Sequence, residues 1–484
     1  MLLGLDLGTG SVKALLMEPS GTVVGEGSAS CTVRSPHPGR AESRPEEWLE
    51  AAAAAVRASG AGEVEVTALG LSGQMHGVVL SDAAGTPLRP AVLWADARSA
   101  GELEAYRSLD TGLQRRLANP PATGMAGPSL LWLRDNEPGS YRAARWALSP
   151  KDWLRLRLTG EAATEPSDAS ATLLYDLEAD GWSAEAAERL GLRLDLLPPL
   201  VASGVAAGRL LPEPAELLGL PAGLPVAAGA GDAAAAALGG GLLYSGPVQL
   251  TVGTGAQILA PGRDLSADPA GRTHLYRAAA PGYQYRMAAV QNAGLALEWV
   301  RGVLGISWEE LYREAATAPP GCGGVTFLPH LTGERTPHLD PAARGAWAGL
   351  GLGSERAHFL RAALEGVAFA LRAALEALEV AGTLVPELRL AGGGTATEAW
   401  RQMLADALER PLLTLPDETA RNASARGAAL LAGLAAGVYG SVEETLTLAP
   451  EPCGIVRPRE PGLYGEAYQR YRALYPRLSG WPGD

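Results

Sequence analysis

The sequence predicts an α/β protein made of two duplicated halves with a cleft between them. Three observations carry that prediction. At 484 residues the chain exceeds what one hydrophobic core normally serves. Strands and helices alternate after an opening meander, which is an α/β plan. Finally, LLGLDLGTGSVKALL (2–16) has a distant counterpart in VQLTVGTGAQILA (248–260). Both read as an apolar strand, a Gly-Thr-Gly turn and a returning strand. With 61 glycines in the chain, a short match alone decides nothing. The flanking strands make it a candidate duplication. The halves are expected at 1–240 and 241–484, with the last residues as candidates to pack back on the first.

Residues 2–27 read as strand, turn, strand, turn, strand. PEEWLEAAAAAVRA (45–58) reads as a helix with Pro at its start. VTALGLSG (66–73) is a strand ending in a glycine turn, and PAVLWADARS (90–99) a strand entering a helix. Residues 208–230, rich in Pro and Gly, look like the approach to a boundary. After them the plan restarts with strand, turn, strand, a strand near 284–290 and a helix from about 293 to 304. FLRAALEGVAFALRAALEALEVAG (359–382) has apolar residues at helical spacing and ends at Gly382. ELRLAGGGTATEAWRQMLADAL (387–408) is strand, glycine turn, helix.

The formal charge is -13. That disfavours nucleic acid, which needs a basic face. The three cysteines, Cys31, Cys322 and Cys453, suit a reducing, cytoplasmic setting better than a disulfide framework. Asp6 interrupts what a signal peptide would need, and the most apolar region (221–260) contains Asp232, so neither secretion nor a membrane span is expected. No GxxxxGK[ST] occurs, which excludes a P-loop.

Gly8 and Gly10 free backbone N–H groups that can wrap phosphate oxygens, with Thr9, Ser11 and Lys13 nearby. Gly253-Thr254-Gly255 could grip from the opposite wall. Two ordinary hairpin turns fit the same pattern. Asp6, a carboxylate in an apolar strand beside such a turn, needs a partner, and Mg²⁺ is an economical one. Asp232 sits among Gly and Ala ahead of a helical run, either as a plain N-cap or as a group a ligand approaches closely. Gln74, Met75 and His76 follow one strand, and Trp94, Asp96 and Arg98 another. Strand ends are where α/β sheets bind ligands.

These stretches, together with PKDWLRLRLTGE (150–161), SDAS (167–170), GAGDAAAAALG, FLPHLTGERTPHLDPAARGAWAGL (327–350) and AGGGTATEAWRQMLAD (391–406), resemble the FGGY family of carbohydrate kinases and within it the xylulokinases. The resemblance covers nearly the whole chain. It implies two ribonuclease-H-like domains of the actin and sugar-kinase superfamily, and transfer of the ATP γ-phosphate to the 5-hydroxyl of D-xylulose. It implies Asp232 as catalytic base and Asp6 as the Mg²⁺-organising aspartate, with both carboxylates near the metal. Gly8, Thr9, Gly10 and Lys13 match the first phosphate turn, and Gly253 with Thr254 the second. Gly294, Gly393, Gly394 and Thr397 fall on the nucleotide side; Gln74, Met75, His76 and Trp94 fall on the sugar side.

The implied ligands are a small sugar and ATP with Mg²⁺, and a homodimer would fit. Three departures stand out. Ala233 follows the base where Asn or Gln is common, the first turn reads Gly-Thr-Gly-Ser where related kinases often read Gly-Thr-Ser, and Glu298 adds a charge near the nucleotide. Another ketose or polyol, such as D-ribulose, a pentitol or a deoxy sugar, would use the same machinery. An actin-like ATPase is the alternative from a different class; the strand ends carrying Gln74–His76 and Trp94–Asp96 favour the kinase.

Overall fold

A computed structural model describes residues 1–395 and 397–480. The first sheet contains β1 (Leu2–Leu7), β2 (Ser11–Met17), β3 (Val23–Ser30), β4 (Ala68–Gly73), β5 (Ala206–Arg209), β6 (Pro225–Ala227) and β7 (Ala230–Gly231). Its order is β5–β6–β4–β1–β2–β3, with β7 also pairing β4. The second contains β8 (Val248–Val252), β9 (Ala256–Gly262), β10 (His274–Arg277), β11 (Gln284–Val290), β12 (Leu388–Ala391), β13 (Leu412–Thr414) and β14 (Gly454–Val456). Its order is β10–β11–β9–β8–β12–β13–β14.

The duplication is visible in these orders. Each sheet has an antiparallel meander whose first strand pairs in parallel with a later strand: β1 with β4, β8 with β12. The hairpins differ in detail. Leu7↔Val12 closes a four-residue turn, Gly8 to Ser11, whereas Val252↔Ala256 closes a three-residue turn, Gly253 to Gly255. Counting back from those closing pairs, Asp6 corresponds to Thr251, whose hydroxyl accepts from Gln249 at 3.0 Å.

The main helices are α1 (Pro45–Ala58), α2 (Pro150–Thr159), α3 (Asp232–Gly239), α4 (Gly294–Leu304), α5 (Arg356–Val380), α6 (Glu398–Leu408) and α7 (Asp417–Ala435). The first core packs Leu3, Leu5 and Leu7 against Trp48 and Trp153; the second packs Leu250 and Val252 with Val367 and Trp400. A third cluster joins α3, α7 and the tyrosines of β10 and β11. Small residues let α7 lie against the first half: a Cβ on Gly4 would stand 2.0 Å from the Ala425 carbonyl oxygen, and one on Gly427 1.9 Å from that of Ala235. The segment that reaches back to the first sheet is therefore α7; Tyr468 and Tyr471, near the chain's end, pack in the second core.

Three boundaries differ from the sequence reading. Residues 90–99 hold a strand of only two residues, Ala91–Val92, then a tight turn and the start of a 3₁₀ helix, Arg98–Ala100; the Asp96 carboxylate holds that turn, accepting the Ala41 N–H at 2.7 Å and the Arg98 N–H at 2.9 Å. Residues 208–230 supply strands of the first sheet. The long helix starts earlier, at Arg356, where the Glu355 and His358 side chains cap it, and stops at Val380. Among the described residues no helix is long and apolar enough to cross a membrane.

Candidate active site

β1, β4 and β7 run parallel, with Asp6 level with Ser72 and Ser72 level with Ala230. Asp232 follows β7 directly and opens α3. The two aspartates thus stand at the ends of strands on either side of β4. The Ser72 hydroxyl donates to Asp6 Oδ1 at 2.8 Å. Asp232 Oδ1 accepts the N–H of Ala233 at 2.7 Å. The N-cap of α3 is Gly231, so Asp232 is no cap. It lies in the first turn, where the helix dipole favours its charge.

Both carboxylates keep a solvent edge but are largely enclosed by protein. Desolvation, then the Asp6 charge, raises Asp232 to about 7; Asp168 adds to the rise. Burial raises Asp6 as well, against the Ser72 hydrogen bond and the Lys13 charge. Such a pair is short of positive charge. Among the described residues no cluster of three or more acidic, His or Cys side chains forms a metal cage. Two hard oxygen donors without a cage fit Mg²⁺, which uses few carboxylates and keeps waters and phosphate oxygens as its other ligands.

On one side of the pair lie the residues after β4. The Gln74 N–H donates to the Leu7 carbonyl at 2.9 Å. Trp94 Nε1 donates to Thr9 Oγ1 at 2.8 Å, and the Thr9 hydroxyl donates to Gln74 Oε1 at 3.2 Å. Thr9 therefore couples the first turn to two sugar-side candidates. A Cβ on Gly231 would meet Met75 Cγ at 2.9 Å, so Met75 lies directly beside the base of α3. His76 has φ 72° and places Nδ1 2.9 Å from the Ala171 carbonyl. A carbonyl only accepts, so Nδ1 carries the proton and Nε2 is an acceptor. Burial, then the Arg335 charge, lowers His76 to about 4 and keeps it neutral.

Gly8 donates its N–H to the Ser11 carbonyl at 3.0 Å, and a Cβ on Gly10 would meet open space. Lys13 is partly engaged elsewhere: its ammonium donates to the carbonyl of Arg421 at 2.9 Å and ties the first hairpin to α7.

On the other side, Gly253, Thr254, Gly294, Gly393, Gly394 and Thr397 all line one cavity of about 960 Å³. The second hairpin docks on the N-terminus of α4 through Gly294 N–H to Gly253 O (3.0 Å) and Leu295 N–H to Thr254 O (2.8 Å). Thr397 caps α6, accepting from the Trp400 N–H at 3.3 Å, and Trp400 Nε1 holds the Gly394 carbonyl at 3.0 Å. Glu298 lines the cavity too, but Arg301 pairs with it through Nε at 3.1 Å, which lowers its pKa and offsets its charge.

Sequence reasoning missed a buried ionic cluster behind Gly231 and Asp232. Lys151 Nζ lies 2.9 Å from Asp152, 3.2 Å from Glu165 and 3.1 Å from Asp168, all essentially excluded from water. Burial pushes Asp168 up to about 6 despite the lysine. Ser167 links this cluster to the aspartate, accepting the Gly231 N–H at 3.0 Å and donating to Glu165 at 2.9 Å. The signal was present: Lys151 is one of two lysines in the chain. Arg335, Trp308 and Tyr312 were also given no role; Arg335 lies 5.7 Å from the Trp94 ring, and the two aromatics line the large cavity.

Family models match both halves: the N-terminal domain of the FGGY family of carbohydrate kinases over residues 1–239, and its C-terminal domain over 248–436. The chain belongs to the FGGY family of carbohydrate kinases. This carbohydrate kinase is 36% identical over 486 residues to the xylulose kinase of Escherichia coli (strain K12), covering 99% of each chain. It is 34% identical over 450 residues to that of Bacillus subtilis (strain 168), covering 92% of this chain and 90% of the relative. A crystal structure described as a xyloylose kinase from Brucella ovis superposes with a TM-score of 0.91 at 37% identity, over 99% of this kinase and 100% of that chain. The two-domain sugar-kinase fold expected from the sequence is thereby established.

Proposed function

We propose that this carbohydrate kinase transfers the γ-phosphoryl group of ATP to the 5-hydroxyl of D-xylulose, with Asp232 as general base. One observation carries the reading: a carboxylate raised to about 7 stands beside Met75 and near Asp6. A base poised near working pH is what proton abstraction from an alcohol calls for. The relatives named xylulose kinase, similar over nearly the full length, support the sugar.

Phosphoryl transfer depends chiefly on positioning and charge stabilisation. Asp232 accepts the hydroxyl proton as the sugar oxygen attacks phosphorus and the bond to the ADP oxygen breaks. His76, neutral and fixed at Nδ1, offers Nε2 as an acceptor to a sugar hydroxyl, and Met75 forms an apolar floor. The backbone N–H groups of Thr9 and Gly10 in the first turn and of Thr254 in the second serve the phosphates, those of Gly8 and Gly253 being bonded within their turns, and Gly393, Gly394 and Thr397 border the nucleoside. Asp6 with Asp232 would hold Mg²⁺, which when bound neutralises charge on the phosphates. The halves 1–240 and 241–484 act as two bodies closing over the cleft, which expels water and limits idle ATP hydrolysis.

A coupled ADP-release screen over pentuloses, hexuloses, glycerol and pentitols tests this. D-xylulose is expected to give the highest kcat/KM. A higher value for any other acceptor overturns the substrate. ADP release independent of added sugar overturns the kinase mechanism.

A further inference from the structure

Beyond His76 lie polar groups with no partner. Tyr276 and His274 are fully buried, and among the described residues neither the Tyr276 hydroxyl nor either His274 ring nitrogen has a hydrogen-bond partner. The two rings stack with centroids 5.7 Å apart, and the His76 ring is 6.1 Å from Tyr276. Arg335 reaches the same place from the second half of the chain. Its guanidinium lies 5.7 Å from the Trp94 ring centre, within cation–π range. No hydrogen bond or ion pair from that guanidinium is found among the described residues; Arg335 is engaged through its backbone, the N–H donating to Glu334 at 2.8 Å and the carbonyl accepting from Leu339 at 2.5 Å. Its charge is felt by His76, His274 and Tyr276.

A half-buried cation without a counter-ion is costly unless a ligand completes it. The order of groups says which part of the ligand does so. Asp232 adjoins Gly231 and Met75; the Tyr285 hydroxyl is 3.6 Å from Met75 Sδ; Tyr285 contacts Tyr276 at 5.4 Å; and Tyr276 leads to His76 and Arg335. Arg335 is therefore joined to Asp232 only through these side chains, with no direct contact between the two among the described residues. A sugar whose terminal hydroxyl faces Asp232 presents its other end there.

We propose that Arg335 binds the C1–C2 end of a 2-ketose, donating two N–H groups to the carbonyl oxygen and the adjacent hydroxyl while Trp94 stacks on its face. This rests on the ketose-kinase reading above. It makes Arg335 the group that distinguishes a ketose from the corresponding polyol, in which the planar carbonyl acceptor is missing. The guanidinium fork suits such paired acceptors in a way a lysine does not.

The test compares wild type with Arg335→Ala and Arg335→Lys on D-xylulose and on xylitol, by ADP release with ATP varied separately. Both variants are expected to lose about 10- to 100-fold in kcat/KM for the ketose, mostly through KM, as for a hydrogen bond to a charged group. The ketose-to-pentitol ratio falls in step, the KM for ATP holds, and added guanidinium partly restores Arg335→Ala. An unchanged ketose-to-pentitol ratio in both variants overturns the proposal, as does an equal loss on both acceptors. Should Arg335→Ala fail to fold, Arg335→Lys keeps the charge and still reads the ratio. Failure of the ketose reading itself appears in the wild type alone, as absent turnover of D-xylulose.

Discussion

A Cβ on Gly294 would stand 2.4 Å from the carbonyl oxygen of Gly253. The second Gly-Thr-Gly turn can rest on the N-terminus of α4 only because position 294 lacks a side chain. Gly294→Ala must push the turn off the helix. Overpacking of this kind costs about 1–3 kcal/mol. The KM for ATP is therefore expected to rise roughly ten- to hundredfold, while that for the sugar stays within a few-fold. Initial rates with each substrate varied in turn check this; an unchanged ATP KM would remove the turn from the nucleotide site.

Much of this was legible in the sequence because it lies in local pattern. Apolar runs of strand length ending at Gly8 and Gly253 gave the two hairpins; an isolated carboxylate in the first of them marked Asp6, and one within a Gly/Ala run before a helix marked Asp232. What escaped was long-range. Nothing near Thr9 shows that its hydroxyl will meet Trp94, 85 residues on. Arg335 was quoted within a motif, yet its lack of a counter-ion exists only once β10 and the Trp94 loop surround it. In 90–99 the strand shrinks to two residues, and the Asp96 bond to Ala41, 55 residues distant, holds the turn that leads into the short helix at Arg98.

Two titrations of opposite sign should shape metal-free stability. The Asp232 carboxyl rises from 3.8 to about 7 on folding, so the native state binds the extra proton between those values. That contribution is present below about pH 4 and is lost as pH rises towards 7. His76 falls from 6.5 to about 4, so its contribution is present above 6.5 and is lost as pH falls towards 4. Urea midpoints in EDTA across pH 4–7 separate them: Asp232→Asn should remove a decline with rising pH, and His76→Asn a decline with falling pH. Asn suits the positive φ at 76. Curves parallel to wild type for either variant would contradict its assignment.

Lys151→Met should destabilise the protein by about 3–5 kcal/mol, because it strands the buried carboxylates of Glu165 and Asp168 and leaves Asp152 only Arg155, at 2.7 Å, as a cation. Chemical denaturation measures it. A loss below about 1 kcal/mol, the range of an exposed pair, would mean that these carboxyl groups take up protons at little cost.

Asp6→Asn keeps the Ser72 hydrogen bond within reach but removes the charge. The Mg²⁺ concentration for half-maximal rate should rise at least tenfold, about 1.4 kcal/mol, with sugar binding in the absence of metal retained. A superimposable Mg²⁺ titration rules out a metal role for this residue.

Asp232→Asn preserves shape and can still accept the Ala233 N–H at its amide oxygen, so α3 should begin unchanged. It cannot take a proton from an alcohol. Loss of a general base typically lowers kcat by about 10²–10⁴-fold, and that is the expected loss here, with ATP affinity by calorimetry close to wild type. Asp168 is, with Asp6, another carboxyl near this site with a raised pKa, at about 6, but Lys151 at 3.1 Å holds it in the cluster behind Gly231. Asp168→Asn should therefore shift the pH–rate profile downward in pH, since its charge helps raise Asp232, without abolishing turnover. Near-normal kcat in Asp232→Asn together with collapse in Asp168→Asn would exchange the two roles.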